Sequence, residues 1–333
     1  MPVTLALAGD TMLGRAVAER TVRRGPGGLF APGLVEVAAE ADAVLLNLEC
    51  CISARGEPTT AVPGKPFFFR APPRAVEALN DLGVTAVTLA NNHALDYGPQ
   101  ALLDTLALLE AAGIRAVGAG PGQAEARAPE VLTVGGRRIG LLGLCDHPEE
   151  YAAGPDTPGV AYADLWSGVV PEWVVASVRE LRRRTDAVLV EVHWGPNMEA
   201  LPRTHVRQAA PVLLQAGATL VVGHSAHVFQ GMAPQVLFDL GDFIDDYAVD
   251  PELRNDLGLL FLVELDEHGP GRIEAVPIAL EYCHTRLARP AEYRWIRERL
   301  ARACAEFGTE VTDEGRRLAV RTSSDAPCPR NAG

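Results

Sequence analysis

Short apolar runs alternate with amphipathic stretches along most of the chain. The runs Thr4–Ala8, Ala43–Leu48, Ala86–Ala90, Ile139–Leu144, Ala187–Val192 and Thr219–Val222 predict strands. Helical spacing lies between them at Leu34–Glu40, Pro73–Leu82, Pro99–Ala112, Trp173–Arg184 and Arg203–Ala216. Strands and helices in turn predict a covered, largely parallel sheet. The stretches LNDLGVTAV, LEAAGIRAV and LLQAGATLV each close a helix with glycine, which accepts a left-handed cap, and then enter a strand. Later the pattern changes. Val236–Leu240, Gly258–Leu265 and Arg272–Ala279 read as strands joined by short turns, with EHGPGR as a tight turn, so antiparallel strands join the parallel ones. Arg289–Glu310 reads as an amphipathic helix and RTSSDAPCPRNAG as a disordered tail. The expected division is a main domain over 1–285, a helical extension over 286–320 and a tail over 321–333. Two loops rich in Pro and Gly, Pro58–Arg70 and Pro148–Gly168, are expected around the mouth of a site.

The polar residues fall where the strands run out. LALAGD ends at Asp10, AVLLNLE at Glu49, and TAVTLANNH at Asn91, Asn92 and His93. LLGLCDH ends at Asp146 and His147, and VLVEVHWG at Glu191, His193 and Trp194. LVVGHSAH ends at His224 and His227, and VLFDLGD at Asp242. Parallel strands place their C-terminal ends along one edge, where ligands bind, so these groups are expected to converge. Imidazole, carboxylate and amide donors together suit Mn, Zn or Fe, whereas carboxylates alone would point to Mg or Ca. Without a cation, such a buried cluster of carboxylates would be costly.

The formal net charge of −13 argues against a non-specific nucleic-acid binder. No segment reads as membrane-spanning. The start MPVTLALAGD lacks the basic and long apolar regions of a secretory signal, so a cytoplasmic protein is expected. Six cysteines include the adjacent pair Cys50 and Cys51, which fits neither a disulfide framework nor a metal knuckle, and free thiols are expected.

The ordered pieces AGDTMLGR, NLECCI, FRAPP, TLANNHALDYG, VEVHWGPN, GHSAHVFQG and LFDLGDFIDD resemble bacterial capsule-synthesis proteins of the CapA type, which are linked to poly-γ-glutamate. These in turn resemble calcineurin-like metallophosphoesterases, and the likeness runs from about Val3 to Tyr282. The resemblance implies an α/β, metallophosphoesterase-like layered fold with mixed β-sheets flanked by helices. It also implies a site for one or two divalent ions. Asp10 and His227 would hold a first ion and Asn92, His193 and His224 a second, with Glu49 between them. His93 would take the place of the histidine that protonates a leaving group. Two departures stand out. Met12 occupies the position of a first-site histidine, and a thioether is a poor ligand for a hard dication. That site is therefore expected to be the weaker, dependent on Asp242, a substrate group or water. Asp242 itself stands in LGD where the family commonly has LGN.

The expected activity is a metal-dependent hydrolase or transferase that uses activated water on an amide, such as a γ-glutamyl or peptide-like bond. Two alternatives remain: a phosphomonoesterase or diesterase, and a non-catalytic metal-stabilised component of polyanion synthesis. His93 and Asp96 are the catalytic candidates, with Asp96 bracing the ANNH turn. Arg15, Arg70, Asn91 and Trp194 are candidates for substrate contacts. The substrate is expected to be a small molecule or a peptide-like chain, and the oligomeric state is open.

Overall fold

The computed structural model describes residues 2–267 and 269–321. His268, within the expected tight turn, and residues 322–333 of the expected tail lie outside the described residues. The strands that build the two main sheets are, in chain order, β1 (Val3–Thr11), β2 (Ala43–Leu48), β3 (Val84–Thr88), β4 (Arg115–Val117), β5 (Glu130–Val134) and β6 (Arg137–Cys145). They continue with β7 (Ala187–His193), β8 (Leu220–His224), β9 (Met232–Ala233), β10 (Val236–Leu237), β11 (Asp242–Ile244) and β12 (Leu257–Leu265). The last are β13 (Pro270–Glu281), β14 (His284–Leu287), β15 (Glu310–Asp313) and β16 (Leu318–Arg321). The main helices are α1 (Arg15–Arg24), α2 (Pro32–Ala38), α3 (Val76–Asp81), α4 (Gly98–Ala111), α5 (Glu172–Arg184), α6 (Thr204–Ala216) and α7 (Pro290–Ala305).

The first sheet runs β15-β16-β13-β12-β1-β2-β3-β4, with β11 also paired to β1 and β14 to β13. Its β1, β2, β3 and β4 are mutually parallel, and the C-terminal strands continue it in antiparallel fashion. The second sheet runs β9-β10-β8-β7-β6-β5, with β6, β7, β8 and β10 parallel. This is a mixed α/β architecture of two sheets with flanking helices, as the change of pattern along the chain suggested. Within 286–320, expected to be helical, α7 is followed by β15 and β16, which extend the first sheet.

Strand alternation sorts the side chains into layers. Leu5, Leu7, Leu45, Leu141, Leu189, Leu220 and Phe261 share one buried cluster drawn from both sheets, together with Ile296 and Leu300 of α7. Ala6, Ala8, Val44 and Leu46 belong to a second cluster with Val17, Leu34 and Leu102 of α1, α2 and α4. Val188, Val190 and Val192 pack with Val178 and Leu213 of α5 and α6 in a third. The three helix-ending glycines, Gly83, Gly113 and Gly217, have φ of 78°, 76° and 118°, the left-handed caps read from the sequence. Cys50, Cys51, Cys145, Cys283 and Cys304 are free and buried. No helix among the described residues is long and apolar enough to cross a membrane.

One irregularity positions the site. The β1–β2 register shifts between Ala8 and Asp10, so that Ala8 pairs with Leu46 and Asp10 with Asn47. A bulge re-aims the following side chain. Here it carries Asp10 past the extra residue, Gly9, to a place beside Asn47. On the other edge β1 pairs in parallel with β11, Asp10 opposite Asp242. Gly9 lies so close to this edge that a Cβ would stand 1.8 Å from the carbonyl oxygen of Gly241. Gly9→Ala is therefore expected to destabilise the protein by about 1–3 kcal/mol through backbone displacement. Denaturant unfolding measures this, and a midpoint equal to wild type would show that the two strands are not locked at Gly9.

Candidate metal centre

The C-terminal ends of strands from both sheets meet at one place. Asp10 comes from β1, Asn47 from β2 with Glu49 directly after it, His193 and His224 from β7 and β8, and Asp242 from β11. His193 and His224 are register partners on adjacent strands. His227 sits in the turn after β8, where Ser225 and His227 have φ of 108° and 57°. Non-glycine residues persist in such backbone only where their surroundings fix them. Ser225 is fixed at both ends: its N–H donates to Asp10 Oδ2 (3.2 Å) and its hydroxyl to the Gly195 carbonyl (2.8 Å).

Glu49 Oε1 is the focus. It is buried and has no hydrogen-bond partner. The Nε2 atoms of His93, His193 and His227 stand 4.0, 4.0 and 3.9 Å from it. Asp10 Oδ1 is 3.4 Å from His224 Nδ1, and Asp10 Oδ2 is 3.5 Å from His227 Nδ1. Two donors held about 2.1 Å from one ion lie at most about 4.2 Å apart, so Glu49 Oε1 with a neighbouring Nε2, and Asp10 Oδ1 with His224 Nδ1, are close enough to share a cation. Asp10, Glu49, His227 and Asp242 each offer a donor, and the four donors lie within 4.8 Å of one another. Asn92 Oδ1, His193 Nε2, His224 Nδ1 and Asp242 Oδ2 are also buried without partners. Buried polar atoms are ordinarily satisfied, and a group of oxygen and imidazole donors all lacking partners fits a divalent ion.

The compact four-donor group is the set expected from the sequence to be the weaker. Met12 does not contribute: it is fully buried, and its sulfur accepts the Gly14 N–H at 3.0 Å. Asp242 lies opposite Asp10 in the β1–β11 pairing and joins the four-donor group. Its Oδ1 accepts from His227 Nδ1 (2.8 Å), leaving Oδ2 free.

The electrostatics follow from burial. Burial pushes Glu49 and Asp242 well above the usual carboxylate range, with Asp10 adding to the effect on both. Burial also raises Asp245 to about 6. Asp10 goes the other way: burial pushes it up, but His224 and the other surrounding imidazoles hold it low. Burial drives His193 well below the usual imidazole value, which keeps it neutral and able to ligate. Burial opposes the charge on His224, yet the Asp10 and Glu191 carboxylates beside it lift it to about 10. A dication at this place would reverse these tendencies, favouring carboxylates and neutral imidazoles together.

His93 adjoins the cluster. Its Nδ1–H donates to Asp96 Oδ2 (2.6 Å), its ring stacks on Phe69 at 3.9 Å, and burial lowers it to about 4. Asp96 also accepts from the Phe69 N–H (2.6 Å) and the Tyr151 hydroxyl (3.0 Å). Lys65, on the loop expected at the mouth, reaches in to pair with Asp96 (3.3 Å) and to donate to the Asn92 carbonyl (2.7 Å). Arg15 pairs with Asp246 at 3.0 Å and keeps 37% of its side chain exposed. Its guanidinium lies 5.6–5.7 Å from the rings of Phe67, Phe69 and Tyr247.

Two residues expected to contact substrate are used otherwise, and a third is used in part. Asn91 is fully buried and its amide is committed: it donates to Asn47 Oδ1 and the Leu48 carbonyl (both 2.9 Å) and accepts the His93 N–H (3.0 Å). Trp194 does not wall a pocket. It is 2% exposed, packs in the cluster beneath α5 and α6, and donates its indole N–H to the Phe238 carbonyl at 3.0 Å. Arg70 donates through Nη1 to the carbonyls of Arg55 (3.1 Å) and Gly56 (2.8 Å), with the Tyr97 ring at 4.1 Å, while its other N–H groups stay available to a substrate.

Sequence reasoning missed Asn47, Lys65 and Tyr247. Asn47 donates to Asp10 Oδ1 at 2.7 Å and lies 3.3 Å from His193 Nδ1. Its signal was available, since it stands two residues before Glu49 at the end of an apolar strand. Tyr247, whose hydroxyl is 3.5 Å from Glu49 Oε2, and Lys65 lie in loops where no periodicity marks a buried side chain.

Trp194→Phe is expected to leave the metal content of the protein unchanged while lowering its stability by about 1–3 kcal/mol, because the Phe238 carbonyl loses its donor. Elemental analysis alongside denaturant unfolding reads both. Loss of metal would return Trp194 to the site.

Comparison with known proteins agrees with the family resemblance. The model of the family described as bacterial capsule synthesis protein PGA_cap matches residues 4–247. A probable polyglutamine synthesis accessory protein of Mycobacterium tuberculosis is 34% identical over 287 residues, covering 81% of this chain and 74% of its own. The PGA biosynthesis protein CapA of Bacillus subtilis is 30% identical over 282 residues, covering 83% and 71%. The capsule biosynthesis protein CapA of Bacillus anthracis is 26% identical over 290 residues, covering 84% and 68%. With its fold, its converging strand ends and these relatives taken together, the chain belongs to the bacterial capsule synthesis protein PGA_cap family.

Proposed function

We propose that the protein is a metal-dependent hydrolase acting on an amide, of γ-glutamyl or peptide-like kind, and that residues 1–285 form the catalytic unit. The observation that carries this reading is the placement of three imidazole Nε2 atoms around the partnerless Glu49 Oε1, with Asp10 and Asp242 closing the same space. Asp10, Glu49, His227 and Asp242 would hold one ion, and Asn92, His193 and His224 a second. When bound, such an ion supplies a water nucleophile near neutral pH and Lewis-acid polarisation of the substrate oxygen.

The chain's own groups do the rest. Asp96 accepts the Nδ1 proton of His93, which fixes the tautomer and leaves Nε2 toward the metal cluster. In that position Nε2, unprotonated at rest, would take the proton released by the attacking water and pass it to the departing nitrogen, and the stacked Phe69 ring holds the imidazole plane. Arg15, half-exposed at the rim among Phe67, Phe69 and Tyr247, offers its free N–H groups to a substrate carboxylate. The names of the relatives, which speak of polyglutamine synthesis and capsule biosynthesis, support an amide-linked acidic substrate.

A second reading, a phosphomonoesterase or diesterase of the calcineurin-like kind, draws support from the ligand order Asp10, Glu49, Asn92, His193, His224 and His227. Protein supplied with Mn²⁺, Zn²⁺ or Fe²⁺ is to be assayed on γ-glutamyl amides and on aryl phosphates. Metal-dependent amide cleavage without phosphatase activity is expected, and rapid phosphate release would favour the second reading. His193→Ala and His224→Ala are expected to lower metal content. His93→Ala is expected to keep the metal and lose about 10²–10⁴-fold in turnover. Metal loss in the His93 variant would overturn this division of roles.

A further inference from the structure

Glu191 lies on β7, two residues before His193, inside an otherwise apolar run. It is a buried carboxylate, 4% exposed. One oxygen, Oε2, stands 2.8 Å from His224 Nε2, and the other, Oε1, has no partner. On the far side of the same ring, His224 Nδ1 is buried without a hydrogen-bond partner and faces Asp10 Oδ1 at 3.4 Å. The two nitrogens of this imidazole are therefore assigned by their surroundings. A carboxylate oxygen only accepts, so Nε2 carries a proton toward Glu191, and Nδ1, facing Asp10 without a hydrogen bond, is the nitrogen left to give its lone pair to an ion.

We propose that Glu191 is a positioning residue for the metal centre: it holds the His224 ring with its proton on Nε2, so that Nδ1 is the ligating atom. The register explains how it reaches. Glu191 is opposite Val222 on β8, and His193 is opposite His224, so the imidazole leans back along its own strand pair to meet the carboxylate. A carboxylate behind a ligating imidazole fixes its orientation and raises its basicity. It also adds a negative charge near a cation, so both effects favour binding. His227 is arranged the other way round, with its Nδ1–H on Asp242 and its Nε2 toward Glu49. The turn GHSAH thus presents two imidazoles through different nitrogens.

This inference rests on the metal-centre reading, and its test keeps the two apart. Zinc affinity is measured first on the wild-type chain by competition with a chelating dye. A wild-type protein that takes up no zinc would sink the metal centre and this inference with it. If wild type loads, Glu191→Gln is expected to bind zinc about 10–100-fold more weakly. A glutamine fits the same space but brings no charge, and its N–H₂ turned toward His224 would force the proton onto Nδ1. Binding within twofold of wild type would overturn the role of Glu191 alone. Should the variant fail to fold, the wild-type zinc protein still decides the matter. Nitrogen-detected NMR of its histidine rings is expected to show His224 protonated on Nε2, and a proton on Nδ1 would refute the proposal.

Discussion

Ionisable groups do not enter a protein interior unless something answers their charge, and this protein brings Asp10, Glu49, Glu191 and Asp242 inside at one place. The answer is partly supplied by imidazoles and by Asn47, whose amide ties Asp10 to the neighbourhood of His193. The remainder is what a cation at this cluster would supply. The rest of the molecule is arranged around that constraint. Two sheets bring their parallel strands to a shared edge, and the apolar layer between them carries the polar groups at its rim. Helices on the outer faces cover both sheets, so the edge is the part left for chemistry.

Much of the fold was legible in the chain because burial on both faces of a parallel strand writes an unbroken apolar run. Ala43–Leu48 is a strand with the bounds expected, and the three glycine-closed helices end where their glycines stand. What escaped were elements whose environment is set from a distance. The helix Arg15–Arg24 is rich in charge and buries only Val17 and Thr21, so few apolar residues announce it. The short strand Asp242–Ile244 exists because β1 offers it an edge, and no local periodicity announces it.

The site was legible in its donors and less so in its supports. A carboxylate or imidazole after an apolar run is a conspicuous event, and Asp10, Glu49, His193, His224 and His227 do lie together. Their supports are ordinary residues by type. Asn91 and Trp194 looked like pocket residues because they adjoin candidate ligands in sequence, yet Asn91 lies in the turn after β3 with its amide tied to Asn47 and Leu48, and Trp194 continues the alternation of β7 to the opposite face from His193. Trp194 follows His193 and is turned into the layer beneath α5 and α6 for that reason. The absence of a histidine at Met12 looked like a weakness of one ion site. A carboxylate from a strand more than two hundred residues away, Asp242, stands beside Asp10 there, which composition and spacing could not reveal.

The contact between Gly9 and Gly241 has a consequence for ion choice. Because backbone meets backbone there, and Asp10 N–H donates to the Gly241 carbonyl at 2.9 Å, the two aspartates are mounted on a single rigid girder. A larger or smaller cation cannot be accommodated by spreading them. Any adjustment of radius falls to the opposite wall, the Ser225–His227 turn and the longer arm of Glu49. A divalent ion bound here would meet a fixed jaw and a movable one.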